Sequence, residues 1–265
     1  MISLIQSLHI SPGWPCPPGV TNCPFPHPIL YFGNEVRYKG SETRIITLSL
    51  NPSDKEFTGN RFQLISGVGP HTPAAYKAAF DEYFELNPYW QWFNNYEKAL
   101  NGLNASYHGH MSAENYGNAS IHIDLIPIAT YPVWSRLNPN LRNQLINSYK
   151  KTLQDLVDNL DPHYILTSMS RKNFDYFLNS IGANIIDRVY YVKNNMIVSV
   201  IYKVHCAGKS LHTIITGINR NTPFAFLTHT EKKNIVEHSV NPCVSLANGI
   251  QLYSSTKILY PQCKI

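Results

Sequence analysis

The sequence is poor in charge. Asp, Glu, Lys and Arg make up only 15% of its 265 residues, unlike the charged, self-repelling composition of disordered chains. Hydrophobic residues, at 43%, suffice for a globular core of one large domain. No apolar stretch approaches the roughly 18 uninterrupted residues that a membrane-spanning helix needs. No internal repeat is visible, which argues against a solenoid or propeller. The first residues, MISLIQSLHISPGWPCPPG, lack the basic start and sustained apolar run of a secretory leader, so a cytoplasmic protein with no membrane partner is expected. The cysteines Cys16, Cys23, Cys206, Cys243 and Cys263 form no C-x-x-C pair; their odd number argues against a disulfide framework, and their spacing does not supply the four well-placed thiolates of an iron–sulfur cluster. Cys16, Cys23 and His27 share a Pro-rich stretch in which a zinc site is conceivable. His108 and His110, in a Gly/Asn-rich loop, lack further ligands. No metal or cofactor is expected.

What is present is a mild basic excess. The net charge is +5 with a pI near 8.8, and Lys150, Lys151, Arg171, Lys172, Lys203, Lys209, Arg220, Lys232 and Lys233 all fall in the C-terminal half. Such a balance is compatible with a nucleic-acid surface and equally with ordinary solvated lysines.

Prolines 12, 15, 17, 18, 24, 26 and 28 predict an extended arm over residues 1–28, because fixed φ angles oppose a helix. Residues 29–265 read as one domain. The β-branched run Arg44–Leu50 predicts a strand that must turn at Asn51-Pro52-Ser53. Residues 72–100 read as helical, broken at Asn87-Pro88. Ser120–Ile126 predicts a second strand, stopping at Pro127. Leu141, Leu145, Tyr149, Leu153, Leu156 and Leu160 repeat at helical spacing over 139–160, ended by Asp161-Pro162. A strand from His163 to Met169 precedes a helix over 170–181. Strands at 189–192 and 196–204 flank the turn Lys193-Asn194-Asn195, and another strand covers 212–218. Thr228 and Glu231 have the spacing of a capping box, opening a helix to about His238.

Strands alternating with helices predict an α/β fold: a three-layer α/β/α sandwich with a central, mainly parallel sheet. Ligands of such sheets bind beyond the carboxyl ends of the strands. Three strand ends here carry polar, sharply turned sequences: Asn51-Pro52, Asp124 through Pro127, and Asn219 through Pro223. Each is compatible with a plain turn, but together they predict one cleft.

Thr47-Leu-Ser-Leu-Asn-Pro-Ser53 resembles the first motif of the uracil-DNA glycosylase superfamily, with Ser49 where the family usually has Gly. Leu30–Gly33, Asn87–Phe93 and Asp124–Trp134 resemble segments of a bacterial branch that includes a phage-defence glycosylase acting on glucosylated hydroxymethylcytosine. The likeness spans roughly residues 28–240. It implies a monofunctional DNA glycosylase, a monomer that flips one nucleotide out of DNA and hydrolyses its N-glycosidic bond to leave an abasic site.

By that resemblance Asn51 positions the attacking water, and Ser53 joins the substrate-binding set. An Asn amide orients water but cannot take its proton, so Asp54 is a candidate base, with a turn-forming surface Asp as the other reading. Asp124 stands where many relatives have a base-reading Asn. An ionised Asp is acceptor-only, suiting the amino group of cytosine rather than O4 of uracil; alternatively Asp124 caps a backbone turn. Asn219 resembles the third motif, in its Asn variant, and completes the catalytic set. Arg220 and Lys209 would contact DNA. Phe224, Phe226 and Leu227 form an apolar loop where relatives wedge the duplex open, with core packing as the rival reading. Phe62 or Phe57 would stack on the extruded base. Tyr89, Trp90, Trp92 and Phe93 are more aromatic surface than their helix needs for packing.

Since cytosine is a normal base, a cytosine-reading pocket implies a requirement for a modification. The expectation is excision of hydroxymethylcytosine, plain or glucosylated, from phage DNA. Excision of uracil or another deaminated base in repair, and a catalytically inactive DNA-binding protein, are the alternatives.

Overall fold

The computed structural model describes residues 1–7, 28–57, 72–130, 132–206, 211–218 and 222–254. Its strands are β1 (Ile45–Ser49), β2 (Ala105–Ser106), β3 (Asn118–Asp124), β4 (Tyr164–Thr167), β5 (Ala183–Lys193), β6 (Met196–Cys206), β7 (Leu211–Gly217) and β8 (Ile250–Ser254). The helices are α1 (Ile2–Ser7), α2 (Glu35–Gly40), α3 (Pro73–Asp81), α4 (Trp90–Leu100), α5 (Pro139–Leu160), α6 (Arg171–Ser180) and α7 (His229–Val240). One eight-stranded sheet runs in the order β2-β3-β1-β4-β7-β6-β5-β8. The strands from β2 to β7 in that order are parallel, whereas β6, β5 and β8 extend the sheet antiparallel. Every residue of β1 and β3 is buried, which requires helices over both faces. The architecture is the three-layer α/β/α sandwich, its antiparallel extension being a feature that strand–helix alternation does not foretell.

Local chemistry places several of these elements. Asn138 caps α5 by accepting from the Asn140 N–H, Pro139 occupies its first turn, and Asp161 ends it at φ 44°. Thr228 and Glu231 close a reciprocal capping box on α7. The β5–β6 hairpin turns through Asn194 and Asn195 at φ 50° and 59°, both in the left-handed region that a type I′ turn demands and that Asn tolerates.

The N-terminus departs from the expected extended arm. Residues 2–7 are helical, and Leu4 and Ile5 are buried in the core. The physical reason is simple: the first proline is Pro12, so nothing upstream of it opposes a helix. Residues 8–27, including Cys16, Cys23 and His27, lie outside the described residues. Cys206 is a buried free thiol and Cys243 is disulfide-bonded.

The two-residue β2 leaves most of the β3 edge uncovered. Residues 29–33 fill the gap: Phe32 and His122 exchange backbone hydrogen bonds of 2.8 Å, and Ile29 N–H donates to the Pro127 carbonyl at 2.6 Å. Sealing an edge in this way removes a surface open to unwanted strand pairing. Gly33 makes the approach feasible, at φ 122° and with the Ser120 carbonyl only 3.0 Å from where a Cβ would stand. The same segment brings Phe32 to the carboxyl end of β3. No helix among the described residues is long and apolar enough to cross a membrane.

Candidate active site

β1 and β3 are parallel neighbours in which Ser49 pairs with Asp124, so both strands end at the same level. Backbone pairing continues past them, with Leu125 N–H on the Ser49 carbonyl and Ile126 N–H on the Leu50 carbonyl, each at 2.9 Å. Asn51 and Asp124 therefore leave the sheet side by side. Between them opens a cavity of about 240 Å³, lined by Phe32, Ser49, Asn51–Ser53, Lys55, Glu56, Tyr89, Trp92, Phe93, His122 and Asp124. It is somewhat smaller than the roughly 300–1,000 Å³ of pockets for drug-sized ligands, a size suited to one planar ring between aromatic walls.

The Asn51 amide has a defined orientation. Its Nδ2 donates to the Pro52 carbonyl at 3.1 Å and lies 3.5 Å from the Ile128 carbonyl and 3.4 Å from Thr130 Oγ1. Two of these neighbours are pure acceptors, so the nitrogen must face them. The carbonyl oxygen, Oδ1, is then the end left to accept from a water.

Asp124 is 4% exposed, and its Oδ1 is buried without a hydrogen-bond partner. An unsatisfied buried carboxylate oxygen is costly, on the order of 1–3 kcal/mol or more, so its place in the cavity wall calls for a physical account. His122 Nε2 stands 3.6 Å from this oxygen, too far for a hydrogen bond. The other ring nitrogen, His122 Nδ1, lies 2.8 Å from Thr47 Oγ1, which is in turn 2.7 Å from the Tyr107 hydroxyl. Phe93 meets the His122 ring edge to face at 4.9 Å. Burial pushes the Tyr107 phenol well above its usual pKa, so it keeps its proton.

A second carboxylate reaches the cavity from the turn after Asn51. Glu56, 3% exposed, accepts a hydrogen bond from the Tyr83 hydroxyl. Tyr83 also accepts the Tyr89 N–H at 3.1 Å. At the rim, Lys55 Nζ is 3.3 Å from the Tyr89 hydroxyl and 5.4 Å from its ring centroid, a cation–π contact.

The structure thus brings together Asn51, Ser53 and Asp124, with Tyr89, Trp92 and Phe93 of the aromatic cluster. Trp90 faces elsewhere, against Phe84 and His108. Asp54 and Phe57 lie on the 3₁₀ turn Asp54–Phe57, and their side chains are outside the description. Phe62, Lys209, Asn219 and Arg220 also lie outside the described residues. β7, which leads to Asn219, is separated from β1 by β4.

The apolar loop needs correction. Phe224 is fully buried and Leu227 is 7% exposed, so neither is available to enter a duplex. Phe224 packs edge to face on Tyr96 at 6.0 Å, and its N–H donates to Ser168 Oγ at 3.1 Å. Phe226, 42% exposed and at φ 70°, is the one of the three that faces outward. His108 and His110 are engaged by Glu85 at 3.7 Å and Asn115 at 3.2 Å. Among the described residues, no group of three His, Cys, Asp or Glu side chains is placed to hold a metal ion.

His122, Glu56, Phe32 and Lys55 escaped the sequence reading. A signal existed for His122: side chains two apart on a strand share a face, so a base-reading Asp124 implies His122 beside it. Glu56 had no such signal, because a short 3₁₀ turn carries no long periodicity. No family model and no curated protein matches the chain.

Proposed function

We propose that this protein is a DNA glycosylase that hydrolyses the N-glycosidic bond of a modified cytosine, leaving an abasic site. The observation that carries the reading is the convergence of Asn51 and a buried, unpartnered Asp124 carboxylate oxygen in one aromatic cavity at the strand ends. Hydrolysis at an anomeric carbon passes through a cation-like sugar. It needs a held water, a group to take the water's proton, and a site that binds the departing base. Asn51 Oδ1 supplies the first. Glu56 is the carboxylate of the same cavity suited to the second. The aromatic walls of Phe32, Trp92 and Phe93 and the polar edge at Asp124 supply the third, with Tyr89 and Lys55 at the mouth.

Asp124 as an acceptor favours an amino-bearing pyrimidine over uracil. An enzyme that excised plain cytosine would destroy its own genome, so selectivity for a modification follows, with bacteriophage DNA carrying hydroxymethylated or glucosylated cytosine as the substrate class. The reading places the protein in the cytoplasm as a monomer acting on invading DNA. The resemblance at Thr47–Ser53 and Asp124–Trp134 adds to it. The test is incubation of the purified chain with oligonucleotides bearing uracil, cytosine, hydroxymethylcytosine or glucosylated hydroxymethylcytosine, followed by alkaline cleavage at abasic sites. Strand breaks confined to the modified cytosines are expected; breaks at uracil alone would overturn the assignment.

A further inference from the structure

The hydroxyl chain behind Asp124 has a direction. Tyr107 and Thr47 each own one hydroxyl hydrogen, and Tyr107 has Thr47 Oγ1 as its hydroxyl partner. A buried phenol that did not donate there would leave its hydrogen unpaired, which a buried site strongly disfavours. Tyr107 therefore donates to Thr47, and Thr47 spends its own hydrogen on His122 Nδ1. Nδ1 is then an acceptor, so neutral His122 carries its proton on Nε2. That nitrogen lies 3.6 Å from Asp124 Oδ1, and both residues line the cavity.

We propose that His122 Nε2–H and Asp124 Oδ1 together form a donor–acceptor reader for an amidine edge, the amino group and adjacent ring nitrogen of a nucleobase. The amino hydrogen satisfies the orphaned carboxylate oxygen, and Nε2–H donates to the unprotonated ring nitrogen. Cytosine presents this pair as N4–H and N3. Adenine presents it as N6–H and N1, but as a larger ring system in a cavity of about 240 Å³. Uracil presents the reverse, with O4 facing a carboxylate and N3–H facing another donor. One site thus gains two hydrogen bonds with one base and suffers two mismatches with the other. His122 is a specificity residue that touches the base, and Thr47 and Tyr107 are positioning residues that select its tautomer. This rests on the cavity being the base pocket of the proposed glycosylase, and deepens that reading from Asp124 alone to a matched pair.

The test uses the full chain and free ligands, without turnover. Cytosine, adenine and uracil are titrated while the His122 ring nitrogens are followed by NMR. The unliganded protein should show a neutral imidazole protonated at Nε2, and cytosine should bind at least about tenfold tighter than uracil. His122→Gln, whose amide still offers a donor, should keep much of that preference. His122→Leu and Asp124→Asn should lose it while far-UV circular dichroism stays unchanged. Thr47→Val should shift the imidazole toward protonation at Nδ1. A Nδ1-protonated imidazole in the native protein, binding of uracil over cytosine, or binding of neither would overturn the proposal. Cytosine preference without release of any base from DNA would sink the glycosylase reading and leave the reader standing. Base release with a uracil preference would sink the reader, and the choice of modified cytosine with it, while leaving glycosylase activity itself standing.

Discussion

A Cβ on Gly217 would stand 2.4 Å from Cδ1 of the Phe224 ring. The end of β7 and the following loop are in contact with no space for a methyl group, and Ser168 Oγ ties them by donating to the Gly217 carbonyl and accepting the Phe224 N–H, each at 3.1 Å. Gly217→Ala should destabilise the fold by about 1–3 kcal/mol through overpacking. Pairing it with Phe224→Leu should cost less than the two single changes summed, since the substitutions share one cavity. Denaturant melts of the four chains measure this; strict additivity would mean that the contact is not tight.

Asn51 and Glu56 are expected to divide the hydrolytic work. Asn51→Ala should lower the single-turnover rate on the susceptible oligonucleotide by roughly 10²–10³, and Glu56→Gln by about 10²–10⁴. Asn51→Asp should not rescue: its carboxylate would face the Pro52 and Ile128 carbonyls that now surround Nδ2, so stability should fall as well. A fully active Asn51→Ala chain would remove Asn51 from the mechanism.

Glu97 links stability to pH. Burial pushes its carboxyl up to about 7, although its Oε2 accepts the Tyr107 N–H at 3.1 Å. Between the ordinary carboxylate range and that value, the folded chain holds a proton that the unfolded chain has released. Stability from this group is therefore full at low pH and declines as pH rises through about 7. Glu97→Gln, neutral throughout, should raise Tm by several degrees at pH 8 and by little near pH 4. Equal shifts at both pH values would show that Glu97 is ionised in the native state.

Lys232 works with the opposite sign. It is 4% exposed, its Nζ donates to Asn95 Oδ1 at 2.7 Å, and burial holds its pKa below the usual lysine value. A folded chain that binds this proton less tightly than the unfolded one gains stability as pH rises toward the ordinary lysine range. Lys232→Met should therefore stabilise the protein near neutral pH, with the gain shrinking in alkali. Thermal melts between pH 7 and 10.5 would measure it, and a loss of stability at every pH would mean that the Asn95 bond outweighs the desolvation.

Much of the fold was legible because its causes are local. The α5 span 139–160 follows from an apolar stripe between Asn138-Pro139 and Asp161-Pro162. The capping box at Thr228 and the hairpin at Asn194-Asn195 rest on side-chain chemistry within a few residues. Missed elements were short or unusual: the two-residue β2, the helix at residues 2–7 upstream of the prolines, and the five-residue β8, which pairs with β5 at the edge of the sheet.

Composition and pattern by themselves determined an α/β chain with polar turns at the ends of its strands, because periodicity and prolines act on neighbouring residues. Tertiary structure alone decided that β3 lies beside β1, which sets Asp124 next to Asn51, and that Phe224 is sealed beneath Gly217 instead of facing outward. It also decided which hydroxyls stand behind His122. Strand order, close contact and hydrogen-bond direction join residues tens of positions apart, and no local rule carries that information.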